Sequence, residues 1–163
     1  MTDAAPAIFA ALEASGFGAA IRQSRWLYMA ANVGHIVSLM VFAGAIAVMD
    51  VRMAGALSAT SPAYVLKAAR RIAIIGFVCL VISGAFLFTA EASHVIMNRV
   101  FQIKLGLIAL GLLNIALFEI LIAPKVKDLP PLTPLPSGAR ATAVASISIW
   151  ISVAICGRSI AYF

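Results

Sequence analysis

Four stretches of this chain, at about 26–48, 72–91, 101–123 and 141–163, run almost without charge from end to end. A helix needs about 20 such residues to cross the roughly 30 Å hydrocarbon core of a bilayer, at about 1.5 Å of rise per residue. A membrane β-barrel would instead alternate apolar and polar residues over segments of about ten. Runs such as Ile72-Ala73-Ile74-Ile75-Gly76-Phe77-Val78 are apolar on every side. Composition excludes the other broad classes. With 63% hydrophobic and 11% charged residues, the chain is neither an ordinary soluble globule nor a disordered segment. Two cysteines are too few for a disulfide-stapled module. The expected fold is all-α, an integral membrane four-helix bundle.

The connecting segments refine this. Residues 1–23 are expected to form a short N-terminal interfacial helix, with Ile8, Phe9, Leu12 and Phe17 apolar, Pro6 near its start and Gly16-Phe17-Gly18 at its end. Glu13 and two of these glycines interrupt any apolar core that a signal peptide would need, so no cleavage is expected. The bundle then occupies 24–163. Ser61-Pro62 has the form of an N-cap followed by proline at the first helical position, which makes 63–71 continuous with the second span. Pro124, Pro130, Pro131, Pro134 and Pro136 impose an extended connection before the fourth span.

With four spans, both termini share one side. Arg22, Arg25, Arg99, Lys104 and Arg158 fall on that side, against Arg52, Lys67, Arg70, Arg71, Lys125, Lys127 and Arg140 on the other. The positive-inside rule then puts both long loops in the cytoplasm and both termini outside a bacterial inner membrane. The net charge of +6 is spread over both faces, which suits lipid headgroups and not nucleic acid.

Ionisable groups inside spans cost roughly 2.5–3.5 kcal/mol each at the centre, so each needs a reason to be there. His35 falls near mid-bilayer, on a stripe with Tyr28, Asn32, Leu39 and Phe42 expected to face the interior. If the second helix continues past Glu91, then Gly76, Cys79, Ser83, Leu87, Ala90 and His94 share one face. Lys104, Leu107, Gly111, Asn114 and Phe118 align on the third span, with Glu119 just off that line. Asp50 and Arg52 are read as an exposed ion pair at the opposite surface. Cys79 and Cys156 are read as buried small apolar residues.

Three classes of function follow. An imidazole within a bundle suits a b-type haem for electron transfer or redox sensing, with a membrane or periplasmic redox partner. His35 would then be an axial ligand, His94, Met97 or Lys104 the second, and Arg25, Arg99 and Arg158 counter-charges to the propionates. Copper suits His94 and Met97, three residues apart, with His35 as a further donor. A hydrogen bond from His35 to Asn114 or to a serine on a neighbouring helix would instead make the polar stripes simple helix packing, as in a non-enzymatic subunit or assembly factor. No nucleophile–base pair, phosphate loop or dinucleotide fingerprint is present.

Short motifs add a likeness. Gly34-His35-Ile36, Phe42-Ala43-Gly44, Asp50-Val51-Arg52, Phe101-Gln102-Ile103-Lys104-Leu105 and Gly157-Arg158-Ser159-Ile160-Ala161-Tyr162 resemble a small bacterial four-span family of unknown function. The resemblance implies a place in a broad group with CopD-like copper-resistance proteins and HemJ-like protoporphyrinogen oxidases. The HemJ-like resemblance implies a haem-associated His35 and an essential Lys104. The chain departs from that pattern at Asn114 and Ile115, where those proteins have a second histidine, and by one residue in the His-to-Gly spacing of the first span. Protoporphyrinogen oxidase activity is therefore not expected.

Overall fold

The computed structural model describes residues 5–163, so the first four residues of the 1–23 segment lie outside the description. Two short helices, α1 (Ala7–Ala14) and α2 (Gly16–Gln23), precede the long α3 (Arg25–Met53) and α4 (Pro62–Ala90). Next come α5 (Ala92–Met97) and α6 (Arg99–Leu117), a wide π-helical turn at Phe118–Ile122, α7 (Ala123–Val126) and α8 (Ser137–Ser159). Four helical stretches are long and apolar enough to span a membrane: Arg25–Met53, Pro62–Ala90, Arg99–Val126 and Ser137–Tyr162. The chain is an all-α multi-pass membrane protein.

Local chemistry explains the boundaries. Proline leads α4 at its first position, as expected, although the Ser61 side chain makes no capping bond. Asn98 caps α6, its carboxamide oxygen accepting from Val100 and Phe101. Pro124 does not open the extended connection as expected: it lies in α7, and because it has no N–H for the carbonyl four residues back and its ring crowds that carbonyl, it alters the turn before it and does not end the helix. The turn before it widens into the π-helical segment.

Two expectations at the terminal side are corrected. Gly16-Phe17-Gly18 opens α2 and does not end the N-terminal helix: the Ser15 hydroxyl accepts from Gly18 N–H and starts a second helix. The second span does not continue past Glu91, whose backbone (φ −141°, ψ 36°) breaks α4 from α5.

The four long helices pack as an open arc, α4 on α3, α3 on α8 and α8 on α6. Gly76 lets α3 and α4 meet closely: a Cβ there would lie 2.9 Å from the Phe42 backbone nitrogen. Gly111 similarly admits the Trp150 indole between α6 and α8. Phe42, Phe77 and Trp150 form an aromatic layer across the bundle, with Phe42 and Trp150 edge-to-face at 4.7 Å. Below it, Met53, Leu66, Ile122, Val126, Ala139 and Ala143 make a core on the loop side. The helices α4 and α6 reach one another through side chains. Phe88 stacks on Phe101 at the terminal end, and Arg70 pairs with Glu119 at 2.6 Å on the loop side.

Candidate functional site

His35 stands on the terminal side of the aromatic layer, seven residues from Phe42, about 10 Å along the helix. Its Nδ1 lies 2.9 Å from the Ser83 hydroxyl, one of the partners anticipated from sequence. That hydroxyl has its own acceptor in the Cys79 carbonyl at 2.7 Å. With the Ser83 proton so placed, His35 Nδ1–H is the donor and Nε2 keeps the lone pair. Gly84 makes room for the ring, since a Cβ there would lie 3.2 Å from His35 Cε1. Lys104 is close enough for its charge to act on the imidazole, and its Nζ packs beside Gly157.

The remaining sequence candidates spread over the rim. His94 and Met97 are exposed in α5, which packs against α1, and His94 lies within the field of Glu13. Because the helix breaks at Glu91, His94 does not share the Ser83 face. Arg25 and Arg99 are exposed. Arg158 donates to the Tyr162 hydroxyl at 2.6 Å and lies over that ring. Asn32 is exposed, so only part of the expected α3 stripe faces inward, and Cys79 is exposed as well, not buried. Among the described residues no three His, Cys, Asp or Glu side chains form a metal-sized group.

The loop-side half holds what the sequence reading missed. Asp50 and Arg52 are buried, at 9% and 1% exposure, and are not the expected exposed ion pair. Arg52 turns towards the loop and donates twice to the Thr60 carbonyl. Asp50 faces a cleft of about 330 Å³ between the four long helices, with the Ser146 hydroxyl beside its carboxylate. Its Oδ2 has no hydrogen-bond partner, and neither has the Trp150 Nε1–H of the aromatic layer. Asn114 hydrogen-bonds the Thr142 carbonyl in the cleft wall.

Apolar side chains dominate the remaining lining. Those from α3 and α8, such as Ile46 and Ala143, are buried, whereas Ile74 and Val78 of α4 and Leu112 of α6 are more than 40% exposed. The cleft therefore opens sideways, between α4 and α6, towards the acyl chains. Arg70 and Glu119 bar its loop end. The wide turn before Pro124 carries Glu119, and such turns recur at functional sites. Glu119 inside the run Leu117–Ile122, and Asp50 at the end of an apolar span, were the signals available: carboxylates that hydrocarbon would exclude.

This geometry defines a class, a four-span membrane protein with a laterally open, mostly apolar cleft that carries a few polar groups. A family model, "Family of unknown function (DUF6644)", matches residues 9–163, and the chain belongs to that family. No curated protein and no solved structure matches.

Proposed function

We propose that this protein binds a lipid-soluble molecule in the cleft between α4 and α6, drawing it from the surrounding bilayer. The observation behind this reading is the unpartnered Asp50 Oδ2 in the wall of a mostly apolar cavity. Burying such a group without a partner costs about 1–3 kcal/mol, and concave apolar spaces with a few convergent polar groups are the usual form of a ligand site. A ligand with an O–H or N–H near its polar end satisfies Asp50 while its apolar body displaces lipid. The test is native mass spectrometry of protein extracted in mild detergent. One retained small molecule per chain is expected in the wild type, about 10-fold less in Asp50→Leu, and none in Leu112→Trp, which plugs the opening. Equal retention in all three would sink the reading. The loop side is taken as cytoplasmic, in a bacterial inner membrane, on the strength of the basic residues counted above.

A second reading keeps one b-type haem for electron transfer on His35. It is favoured by the imidazole orientation: Nδ1–H is held by Ser83, so Nε2 has a lone pair to offer iron, with Lys104 nearby to meet an anionic propionate. His94 and Met97 begin with α5, nine residues or roughly 13 Å of helix beyond Ser83, so the second axial position has no candidate from that pair without rearrangement. Copper at His94 and Met97 would require a donor from elsewhere. A Soret band after expression with haem supply, lost in His35→Ala, separates haem from the lipid-soluble ligand; stoichiometric copper without porphyrin would point to the metal.

A further inference from the structure

Beyond the Arg70–Glu119 pair that bars the loop end of the cleft lies a second cavity of about 310 Å³, and Leu66, Arg70 and Glu119 line both. The character of the lining changes across that boundary. Inside the cleft, Arg70 is the one basic group of the lining; outside it, Lys67 and Lys127 join Arg70 around a space floored by Ala63, Ala123 and Pro124. Lys67 lies within the first turns of α4 and Lys127 just beyond α7, so both stand at headgroup level.

We propose that the occupant is an anionic lipid, with its phosphate held by Lys67, Arg70 and Lys127 and one acyl chain in the cleft. This deepens the reading of the cleft as a ligand site and rests on it. Charge complementarity carries the assignment. Three cations face this outer space against one carboxylate, Glu119. Glu119 clamps one edge of the Arg70 guanidinium at 2.6 Å, leaving its other N–H groups for an anion. Asp128 comes no nearer than 4.0 Å to Lys127, and both are strongly exposed. Basic pockets between membrane helices at the interface are the usual seats of phosphate headgroups.

The dimensions suit the upper part of one chain, the rest lying along the lateral opening. From Arg70 to the aromatic layer at Phe77 is seven residues, about 10 Å of apolar wall. The opening between α4 and α6 lets a second chain of the same lipid stay in the bilayer. Asp50 lies behind the mouth, in the wall that the acyl chain passes.

The experiment is native mass spectrometry of the full chain in detergent, offered equal amounts of phosphatidylglycerol and phosphatidylcholine with identical chains, and separately inorganic phosphate alone. One phosphatidylglycerol per chain is expected, preferred about 10-fold over phosphatidylcholine. Lys67→Gln with Lys127→Gln lowers its retention on the order of 30-fold, while Arg71→Gln, an exposed cation outside both cavities, leaves it unchanged. Both lysines are exposed, so the double variant is expected to fold; unchanged thermal unfolding checks this. Equal retention of the two lipids, both lost in Leu112→Trp, overturns the anionic headgroup and leaves the cleft. Retention that Leu112→Trp does not alter overturns the cleft itself. Binding of inorganic phosphate as tight as that of phosphatidylglycerol overturns the lipid and leaves an anion site.

Discussion

The two halves of the bundle, divided by the layer of Phe42, Phe77 and Trp150, treat polar groups in opposite ways. On the terminal side the Nδ1 of the half-buried His35 is paired with Ser83, and Gly84 leaves room for the ring against α4. On the loop side Asp50 is left with a free oxygen, and α4 stands away from α6 with an ion pair across the gap. One half is closed around its polar residue and the other open before it. Two ionisable groups at similar cost to the membrane thus have different physical standing: the first is already paid for by its neighbours, the second awaits a partner. Polar partners alone do not separate them, since each keeps one atom without a partner; the space they face does, Asp50 lining an open cleft and His35 packing on the helix at Gly84.

The largest test of this contrast is Gly76→Ala. Its Cβ would meet Phe42 backbone atoms at 2.9 and 3.1 Å, which cannot yield as a side chain does. Overpacking of this kind costs about 1–3 kcal/mol and should appear as a lowered unfolding temperature in detergent. Gly106→Ala, with nothing within 4 Å of the new Cβ, should be neutral or gain about 1 kcal/mol from helix propensity. Equal losses in both would mean that the close α3–α4 contact does not hold the layer together.

Next in size is the exchange of function for stability at Asp50. Removing an unsatisfied buried carboxylate in Asp50→Leu should raise stability by about 1–2 kcal/mol in ligand-free protein, whereas Ser83→Ala should lower it by about 1 kcal/mol, because it strands the His35 donor. Opposite signs in thermal unfolding are the expected outcome; the same sign for both would erase the distinction between the two halves.

Smaller is the ion pair that closes the loop end. Its partners are each about 40% exposed, so a double-mutant cycle of Arg70→Gln and Glu119→Gln should return about 0.5 kcal/mol of coupling. A coupling several times larger would make the pair a structural strut and not a mobile bar.

The smallest expected effect is at the terminal collar. Glu13 accepts from the Ser93 backbone N–H at 2.8 Å, and Arg22 donates to the Ala90 carbonyl at 2.8 Å, tying α1 and α2 across the α4–α5 break. The hydrogen bonds from Ser93, with the charges of Arg22 and His94, hold the Glu13 carboxyl below its ordinary 4.5. A carboxylate so lowered supports docking fully above the ordinary value and loses that support as pH falls through its own lower one. Amide exchange at Ser93 should therefore be unchanged between pH 7 and 5, after correction for intrinsic rates, and accelerate only in more acidic solution. In Glu13→Gln the acid-dependent step should vanish.

Much of the architecture could be read directly from residue order. Four apolar stretches of bilayer length define the spans, Pro62 marks the start of α4, and the prolines between 130 and 136 explain the linker, because hydrocarbon admits few backbone solutions and proline lacks a donor. The serine partner of His35 was also among the readings, since a buried imidazole must find one. What residue order could not decide was which face each polar group would meet. Their place at the surface end of the first span made Asp50 and Arg52 an expected exposed pair, yet residues two apart on a helix point some 200° apart, and the loop captured one while the bundle enclosed the other. The alignment of His94 with Ser83 failed at a single backbone break at Glu91. The cleft arises from spacing between helices distant in sequence, set by where glycine permits contact and where a proline-widened turn prevents it. Apolar pattern is local and survives translation into lipid depth, but the meeting of Asp50, Arg70 and Glu119 depends on three-dimensional packing that no local pattern encodes.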